Sequence, residues 1–157
     1  MFKVGIIGPE ASGKTTLAQY LSKRYSGIFI PEYAREWVEK HSKDVSYDDL
    51  CHIAKQQIEQ LKELEKKEED RIAFFDTELI ITKVWFDYAF GKIPEWLNEA
   101  IDQYPMNIYL LTYPDLEWVQ DGTRYNGSDD IRWELFERYE QEIQKLNIPY
   151  YIIQHND

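Results

Sequence analysis

Short apolar runs alternate with segments of helical periodicity along the chain. Five of these runs have the length and composition of buried β-strands, and they cover Phe2 to Ile7, Ile28 to Ile30, Ile72 to Phe75, Asn107 to Thr112 and Pro149 to Ile153. Between them, apolar residues recur every three or four positions, as in amphipathic helices. This alternation predicts an α/β fold built on a parallel sheet.

Several helical segments have recognisable ends. Ser46 and Asp49 have the spacing of a capping box. Gly27 and Gly91 follow helical patterns at the position where glycine commonly ends a helix. The periodic apolar positions of the first two long helices are Leu17, Tyr20, Leu21 and Tyr25, then Leu50, Ala54, Ile58, Leu61 and Leu64. Further helices are predicted over Leu79 to Phe90, Trp96 to Tyr104 and Ile131 to Leu146.

The first strand leads into a glycine-bounded loop and then into a helix. Gly8, Gly13, Lys14 and Thr15 match G-x-x-x-x-G-K-[ST], the phosphate-binding P-loop. In such a loop the backbone amides surround the phosphates, the lysine reaches the β- and γ-phosphates, and the hydroxyl ligates Mg²⁺. The residues expected to bind ATP are Gly8, Glu10, Ala11, Ser12, Gly13, Lys14, Thr15 and Thr16, together with Arg124 further along the chain.

Composition limits the partners of this chain. Its 157 residues suit one domain, and its net charge of −11 argues against binding to nucleic acid or to anionic membranes. The single cysteine, Cys51, excludes an internal disulfide and lies in a helical pattern, where it is expected to be a small core residue. The sequence contains no apolar run of transmembrane length and begins with a strand, so a cytoplasmic protein is expected.

Two carboxylates follow predicted strands and so share the rim with the P-loop. Asp76 is expected to hold Mg²⁺ together with Thr15, and the alternative is that it caps the next helix. Glu32 is expected to accept or orient the proton of an attacking hydroxyl, and the alternative is a surface ion pair with Arg35.

A long polar segment, residues 113–132, is predicted to be a lid. It carries Asp115, Trp118, Asp121, Arg124 and Arg132. An arginine-bearing lid can exclude water and neutralise charge on a transferring phosphoryl group. The alternative is a solvated loop whose arginines pair with its own carboxylates.

Aromatic residues near the rim could stack on a substrate ring. Tyr33 and Trp118 stand in loop-like positions and are the better candidates. Trp85, Tyr88 and Phe90 lie on the helix after Asp76, where a core position is favoured over ligand stacking.

Four segments together resemble a known family. They are GPEASGKTT, PEYAREW, FFDTELIITKVWFDYAFGK and TYPDLEWVQDGTR. In this order they resemble the ribosylnicotinamide kinase domain of the bifunctional nicotinamide-nucleotide adenylyltransferase/ribosylnicotinamide kinase proteins. The resemblance covers nearly the whole chain. It implies a nucleoside-kinase-like P-loop NTPase fold, with a five-stranded parallel sheet of order 2-3-1-4-5.

The resemblance also implies a reaction. It is the transfer of a phosphoryl group from ATP, with Mg²⁺, to nicotinamide riboside, giving nicotinamide mononucleotide. From the P-loop, the strand ends and the predicted lid, the residues expected in catalysis are Lys14, Glu32, Asp76, Arg124 and Arg132. The substrate-binding set is Glu32, Tyr33, Arg35, Asp76, Trp85, Trp118 and Asp121. No adenylyltransferase domain precedes Met1, so that second activity is not expected. The chain also lacks the helix that usually follows the last strand in this family.

Two other functions remain open. The first is a kinase for another nucleoside or nucleotide, and the second is an ATP-binding module that regulates a partner. A motor of the AAA type is disfavoured, because such motors normally carry a glutamate directly after the aspartate at the end of the strand, whereas Thr77 follows Asp76 here.

Overall fold

Strands and helices alternate along the chain as the sequence predicts. The computed structural model describes residues 1–9, 12–41, 44–67, 69–114 and 129–154. The strands are β1 (Phe2–Ile7), β2 (Ile28–Ile30), β3 (Ile72–Asp76), β4 (Ile108–Thr112) and β5 (Tyr150–Ile153). The helices in these ranges are α1 (Lys14–Arg24), α2 (Tyr33–His41), α3 (Tyr47–Glu65), α4 (Leu79–Phe90), α5 (Glu95–Gln103) and α6 (Asp129–Lys145).

All five strands form one parallel sheet in the order β2-β3-β1-β4-β5, which confirms the expected topology. The two faces of β1 pack into different cores. Ile7 faces the larger core, to which α2 to α6 contribute buried residues, whereas Val4 and Ile6 pack with Ala18 of α1. Since β1 is central and parallel to β3 and β4, the carboxyl ends of these strands lie together at one rim.

The capping box at the start of α3 is confirmed, because the Ser46 hydroxyl accepts from the Asp49 amide while the Asp49 carboxylate accepts from the Ser46 amide. The prediction for the end of α1 is wrong in one respect. Ser26, and not Gly27, has the left-handed backbone, with φ of 52°. The Gly27 amide donates to the Ser22 carbonyl at 2.8 Å and the Ser26 amide to the Lys23 carbonyl at 3.4 Å, which is a Schellman arrangement.

Gly27 has a different reason to be glycine. A Cβ at this position would lie 2.5 Å from the Ile72 carbonyl oxygen, so β3 approaches too closely for any side chain. Gly91 does end α4 with a positive φ of 63°, as predicted.

The buried face of α1 is rotated from the one that aromatic spacing indicated. Tyr20 and Tyr25 are exposed, whereas Ala18 and Ser22 are buried. A helix that packs close to a sheet needs small residues at the contact, so the bulky tyrosines lie outside.

The last helix begins at Asp129, two residues before the predicted start at Ile131. The predicted lid of residues 113–132 therefore overlaps α6. Phe136, Tyr139 and Ile143 are buried on one side of this helix as expected, while Trp133 is 37% exposed and meets Tyr113 edge to face. No helix of the described ranges is both long and apolar enough to cross a membrane.

Candidate functional site

The P-loop backbone has two positions that only glycine can occupy. Gly13 precedes α1 with φ of 88°, a left-handed conformation that costs other residues energy. Gly8 is needed for space, because a Cβ there would lie 1.9 Å from the Thr112 hydroxyl oxygen and 2.8 Å from that of Ser12. The loop is therefore packed directly against the end of β4.

Hydrogen bonds fix the described part of this loop. The Ser12 hydroxyl donates to the Pro9 carbonyl at 2.6 Å and shares a 2.6 Å hydrogen bond with the Thr112 hydroxyl. Lys14 is 7% exposed, and its ammonium group donates to the Pro9 carbonyl at 3.1 Å. Thr16 is exposed on α1. The Lys14 cation is thus held at the loop, where a bound phosphate would meet it.

Thr15 and Asp76, the two residues expected to hold Mg²⁺, are in direct contact. The Thr15 hydroxyl donates to Asp76 Oδ2 at 2.6 Å. Asp76 is only 2% exposed, and its Oδ1 has no hydrogen-bond partner in the described structure. A buried carboxylate oxygen left in this state is a natural ligand for a cation.

The described residues contain no cluster of three His, Cys, Asp or Glu side chains that would hold a metal on their own. This fits Mg²⁺, which commonly takes one or two protein ligands and completes its shell with waters and substrate phosphates. The two donors that could hold it are the Thr15 hydroxyl and the Asp76 carboxylate.

A small cleft opens beside the loop. Its lining residues are Gly8, Lys14, Glu32, Thr77, Ile81, Trp85, Leu135 and Tyr139. Glu32 is 14% exposed, and the Arg35 guanidinium lies 3.5 Å from its carboxylate. The structure therefore contains both features weighed for Glu32, the ion pair and the position in the cleft.

The aromatic residues are placed differently from the expectation. Trp85, for which a core position was favoured, lines the cleft and meets Tyr88 edge to face. Phe90 is 37% exposed. Tyr33, the better candidate from sequence, packs against the core and is absent from the cleft lining that the described residues form. The difference arises because Tyr33 already belongs to α2, which fixes its side chain against the protein.

Arg132 is not part of a loop. It lies in α6 and is 1% exposed, so it cannot swing over a ligand as a lid arginine would. Glu10, Ala11, Asp115, Trp118, Asp121 and Arg124 lie outside the described residues, and their roles stay predictions. Cys51 is half-buried, and this burial raises the pKa of its thiol, which agrees with a packing role.

Sequence reasoning missed Thr77, Glu78 and Thr112. Thr77 has φ of 75°, an uncommon conformation for a β-branched residue. Glu78 is buried, and its carboxylate accepts from the Ile80 amide at 2.8 Å at the start of α4. Burial raises the Glu78 pKa to about 7, although hydrogen bonds from Ile80, Leu79 and Tyr109 lower it. The only signal in the sequence was the run of three polar residues after an apolar strand.

Residues 3–157 match the family AAA_28, described as an AAA domain. This chain belongs to the AAA_28 family. Within AAA_28, the chain has Thr77 directly after Asp76, and the next glutamate, Glu78, is buried at the start of α4.

This AAA_28 chain is similar to the trifunctional NAD biosynthesis/regulator protein NadR. It is 27% identical to NadR of Escherichia coli K12 over 98% of this chain and 38% of the relative. It is 28% identical to NadR of Salmonella typhimurium LT2 over 92% of this chain and 36% of the relative. The chain thus spans less than two-fifths of either relative, and the resemblance seen in the sequence is confirmed.

Solved structures agree with this assignment. A NadR protein in complex with NR has a TM-score of 0.82 and 25% identity, over 99% of this chain and 46% of the other. Thymidylate kinase of Ehrlichia chaffeensis has a TM-score of 0.69 at 17% identity, over 99% of this chain and 88% of the other, and shows a shared fold. The fold is that of P-loop nucleoside and nucleotide kinases.

Proposed function

We propose that this chain is an ATP-dependent kinase that phosphorylates a hydroxyl of a small nucleoside, with nicotinamide riboside as the first acceptor to test. The observation that carries the proposal is the cleft in which Lys14, Glu32 and Trp85 face the same volume. A phosphate-binding cation and a carboxylate serve phosphoryl transfer, and an aromatic ring can stack on the base of a nucleoside.

Lys14 binds the phosphates and the P-loop amides surround them. When bound, Mg²⁺ at Thr15 and Asp76 would neutralise charge on the β- and γ-phosphates. The acceptor oxygen forms a bond to the γ-phosphorus, the bond from that phosphorus to the β,γ-bridging oxygen breaks, and ADP leaves. The acceptor proton passes to Glu32 and then to solvent.

Glu32 and Arg35 form a positioning pair in this proposal. The guanidinium lies 3.5 Å from the Glu32 carboxylate and orients it at the cleft. The transition state of phosphoryl transfer is loose, so the carboxylate acts chiefly by holding the acceptor hydroxyl in line. Arg35 is about half exposed, so the pair lies at the boundary between the cleft and solvent.

The acceptor is inferred from the residues that line the cleft and from the names of the relatives. Trp85, Ile81 and Leu135 supply an aromatic and apolar wall suited to a flat ring. NadR is named for NAD biosynthesis, and one NadR protein is solved with NR. These observations support nicotinamide riboside ahead of other nucleosides.

The test is a coupled assay of ADP release with nicotinamide riboside and a panel of other nucleosides. Glu32→Gln should lower kcat about 100-fold, the usual scale for an acid–base group, and leave ATP affinity near wild type. Glu36→Gln is the matched control, because Glu36 is exposed on the first turn of α2.

Each result has one meaning. If the wild type releases no ADP in response to any nucleoside, the kinase proposal is rejected and an ATP-binding regulatory module takes its place. If Glu32→Gln keeps full activity, the kinase stands and Glu32 is not its base. Release with a nucleoside other than nicotinamide riboside changes the acceptor and retains the enzyme class.

A further inference from the structure

Thr77 sits in a backbone conformation that its side chain disfavours. Its φ is 75°, in the left-handed region, where a β-branched residue is strained. The Thr77 amide donates to the Ile6 carbonyl at 3.0 Å, so the strained turn is tied to the neighbouring strand β1. The direction of the side chain is therefore fixed by the fold.

The hydroxyl held in this way has no hydrogen-bond partner among the described residues. Thr77 is 6% exposed, and its Oγ1 makes no hydrogen bond in the described structure. Two other buried threonines are satisfied, since Thr82 donates to Gln57 at 2.7 Å and Thr112 bonds Ser12 at 2.6 Å. A buried hydroxyl without a partner lowers stability, so its retention at a strained position indicates a ligand.

The register of the sheet tells which part of a ligand lies nearest. Ile6 pairs with Asp76, so Thr77 stands beside the residues that open the P-loop. Gly8, Lys14 and Thr77 line the same cleft. Lys14 is the residue that reaches the β- and γ-phosphates in a P-loop. A hydroxyl at this end of the cleft therefore meets phosphate oxygens before any part of a nucleobase.

We propose that the Thr77 hydroxyl donates a hydrogen bond to an oxygen of the γ-phosphoryl group, so that the site distinguishes ATP from ADP. This inference rests on the proposed function only in taking ATP as the ligand; it holds for any acceptor. Lys14 contacts both nucleotides, whereas the Thr77 contact exists only when the third phosphate is present.

The experiment is calorimetry with Mg²⁺ and either a non-hydrolysable ATP analogue or ADP. Thr77→Val keeps the branched shape and the backbone strain but removes the hydroxyl, and Thr77→Ser keeps the hydroxyl. Thr77→Val should weaken the binding of the analogue about 10-fold or more, which is the scale of a hydrogen bond to a charged group. Its affinity for ADP should be unchanged. Thr77→Ser should bind both nucleotides as the wild type does.

Thermal unfolding provides the second readout. Thr77→Val should be at least as stable as the wild type, because no protein hydrogen bond is lost. Thr82→Val is the control, and it should be less stable with unchanged nucleotide affinity, since it leaves Gln57 without its donor.

The inference is overturned if Thr77→Val binds the analogue as the wild type does, or if the substitution weakens ADP binding to the same extent. It is also overturned if the wild type binds neither nucleotide. If only the kinase proposal fails, the two measurements will differ. Thr77→Val will still weaken binding of the ATP analogue but not of ADP, whereas the wild type will release no ADP with any nucleoside.

Discussion

Three consecutive polar residues, Asp76, Thr77 and Glu78, are all buried where β3 turns into α4. The Asp76 carboxylate has one oxygen without a partner among the described residues, and the Thr77 backbone is strained. The Glu78 carboxyl caps the start of α4. Burying such groups lowers stability unless they are satisfied. These three adjacent residues therefore have features expected of a ligand-binding site.

Asp76→Asn tests the metal role. The variant keeps the size of the side chain but loses the charge that attracts Mg²⁺, so turnover should fall and the Mg²⁺ concentration for half-maximal activity should rise about 10-fold or more. The measurement is a Mg²⁺ titration of activity. Asp87→Asn, on the exposed side of α4, is the control, and a titration of Asp76→Asn that overlays the wild type would reduce Asp76 to a helix cap.

Glu78 makes stability depend on pH. Its folded pKa of about 7 lies above the ordinary value of 4.5, so the folded state holds the proton more tightly than the unfolded state. The contribution of Glu78 to the free energy of unfolding is therefore complete below about pH 4.5. It is lost as the pH rises to about 7, a loss on the order of 3 kcal/mol.

Glu78→Gln should flatten that decline. Denaturant unfolding at several pH values between 4.5 and 7 measures the effect. The glutamine amide oxygen can still accept from the Ile80 amide, so the helix start is retained. An unchanged slope in Glu78→Gln would show that other groups set the pH dependence.

At the scale of elements, the strands were predictable because continuous apolar runs have few alternatives in a buried parallel sheet. The helices other than α2 were predicted with their ends near the right residues, but the rotation of α1 was not. The buried face of α1 is set by how closely Ala18 lets the helix approach the sheet, and spacing alone does not contain that distance.

The site was predictable where a motif fixes geometry. The P-loop pattern led to Lys14 and to Thr15, and the end of an apolar strand led to Asp76, whose contact with Thr15 is 2.6 Å. The strain at Thr77 and the burial of Glu78 depend on how β1 and β4 pack around the turn. The run of three polar residues after the strand marks the turn, but neither the strain nor the burial can be inferred from it.

The end of α1 offers a stabilising substitution. Ser26→Gly should raise the free energy of unfolding by about 0.5–1 kcal/mol, because glycine adopts the left-handed position of a Schellman turn without the steric cost that serine bears. Ser26→Ala is the control and should not stabilise. Thermal and denaturant unfolding measure both, and equal gains would mean that the backbone angle is not the cause.

At the scale of the whole molecule, a net charge of −11 surrounds a site built for anions. The nearly buried Lys14 attracts phosphate only at short range, because the surface charge dominates at longer distances. Nucleotide and protein therefore repel each other before they meet.

Salt should accordingly speed the binding of nucleotide. We expect the association rate constant of a Mg²⁺-bound ATP analogue to rise about two-fold or more between low and physiological ionic strength, as screening removes the repulsion. Stopped-flow measurement of Trp fluorescence, with Trp85 in the cleft, can follow it. A cationic nucleoside such as nicotinamide riboside should show the opposite trend, and a nucleotide rate that falls with salt would contradict the argument.

Gly8 and Thr112 pack against each other with no space for a side chain between them. The backbone at Gly8 and the end of β4 must therefore move together. The residue after Thr112 is also tied down, because the Tyr113 amide donates to the Ile153 carbonyl of β5 at 2.9 Å. Opening of the contact between Gly8 and Thr112, as hydrogen exchange would record it, therefore requires the sheet edge to open as well. The amide of Gly8 should accordingly be protected from exchange about as well as the amides of the central strands.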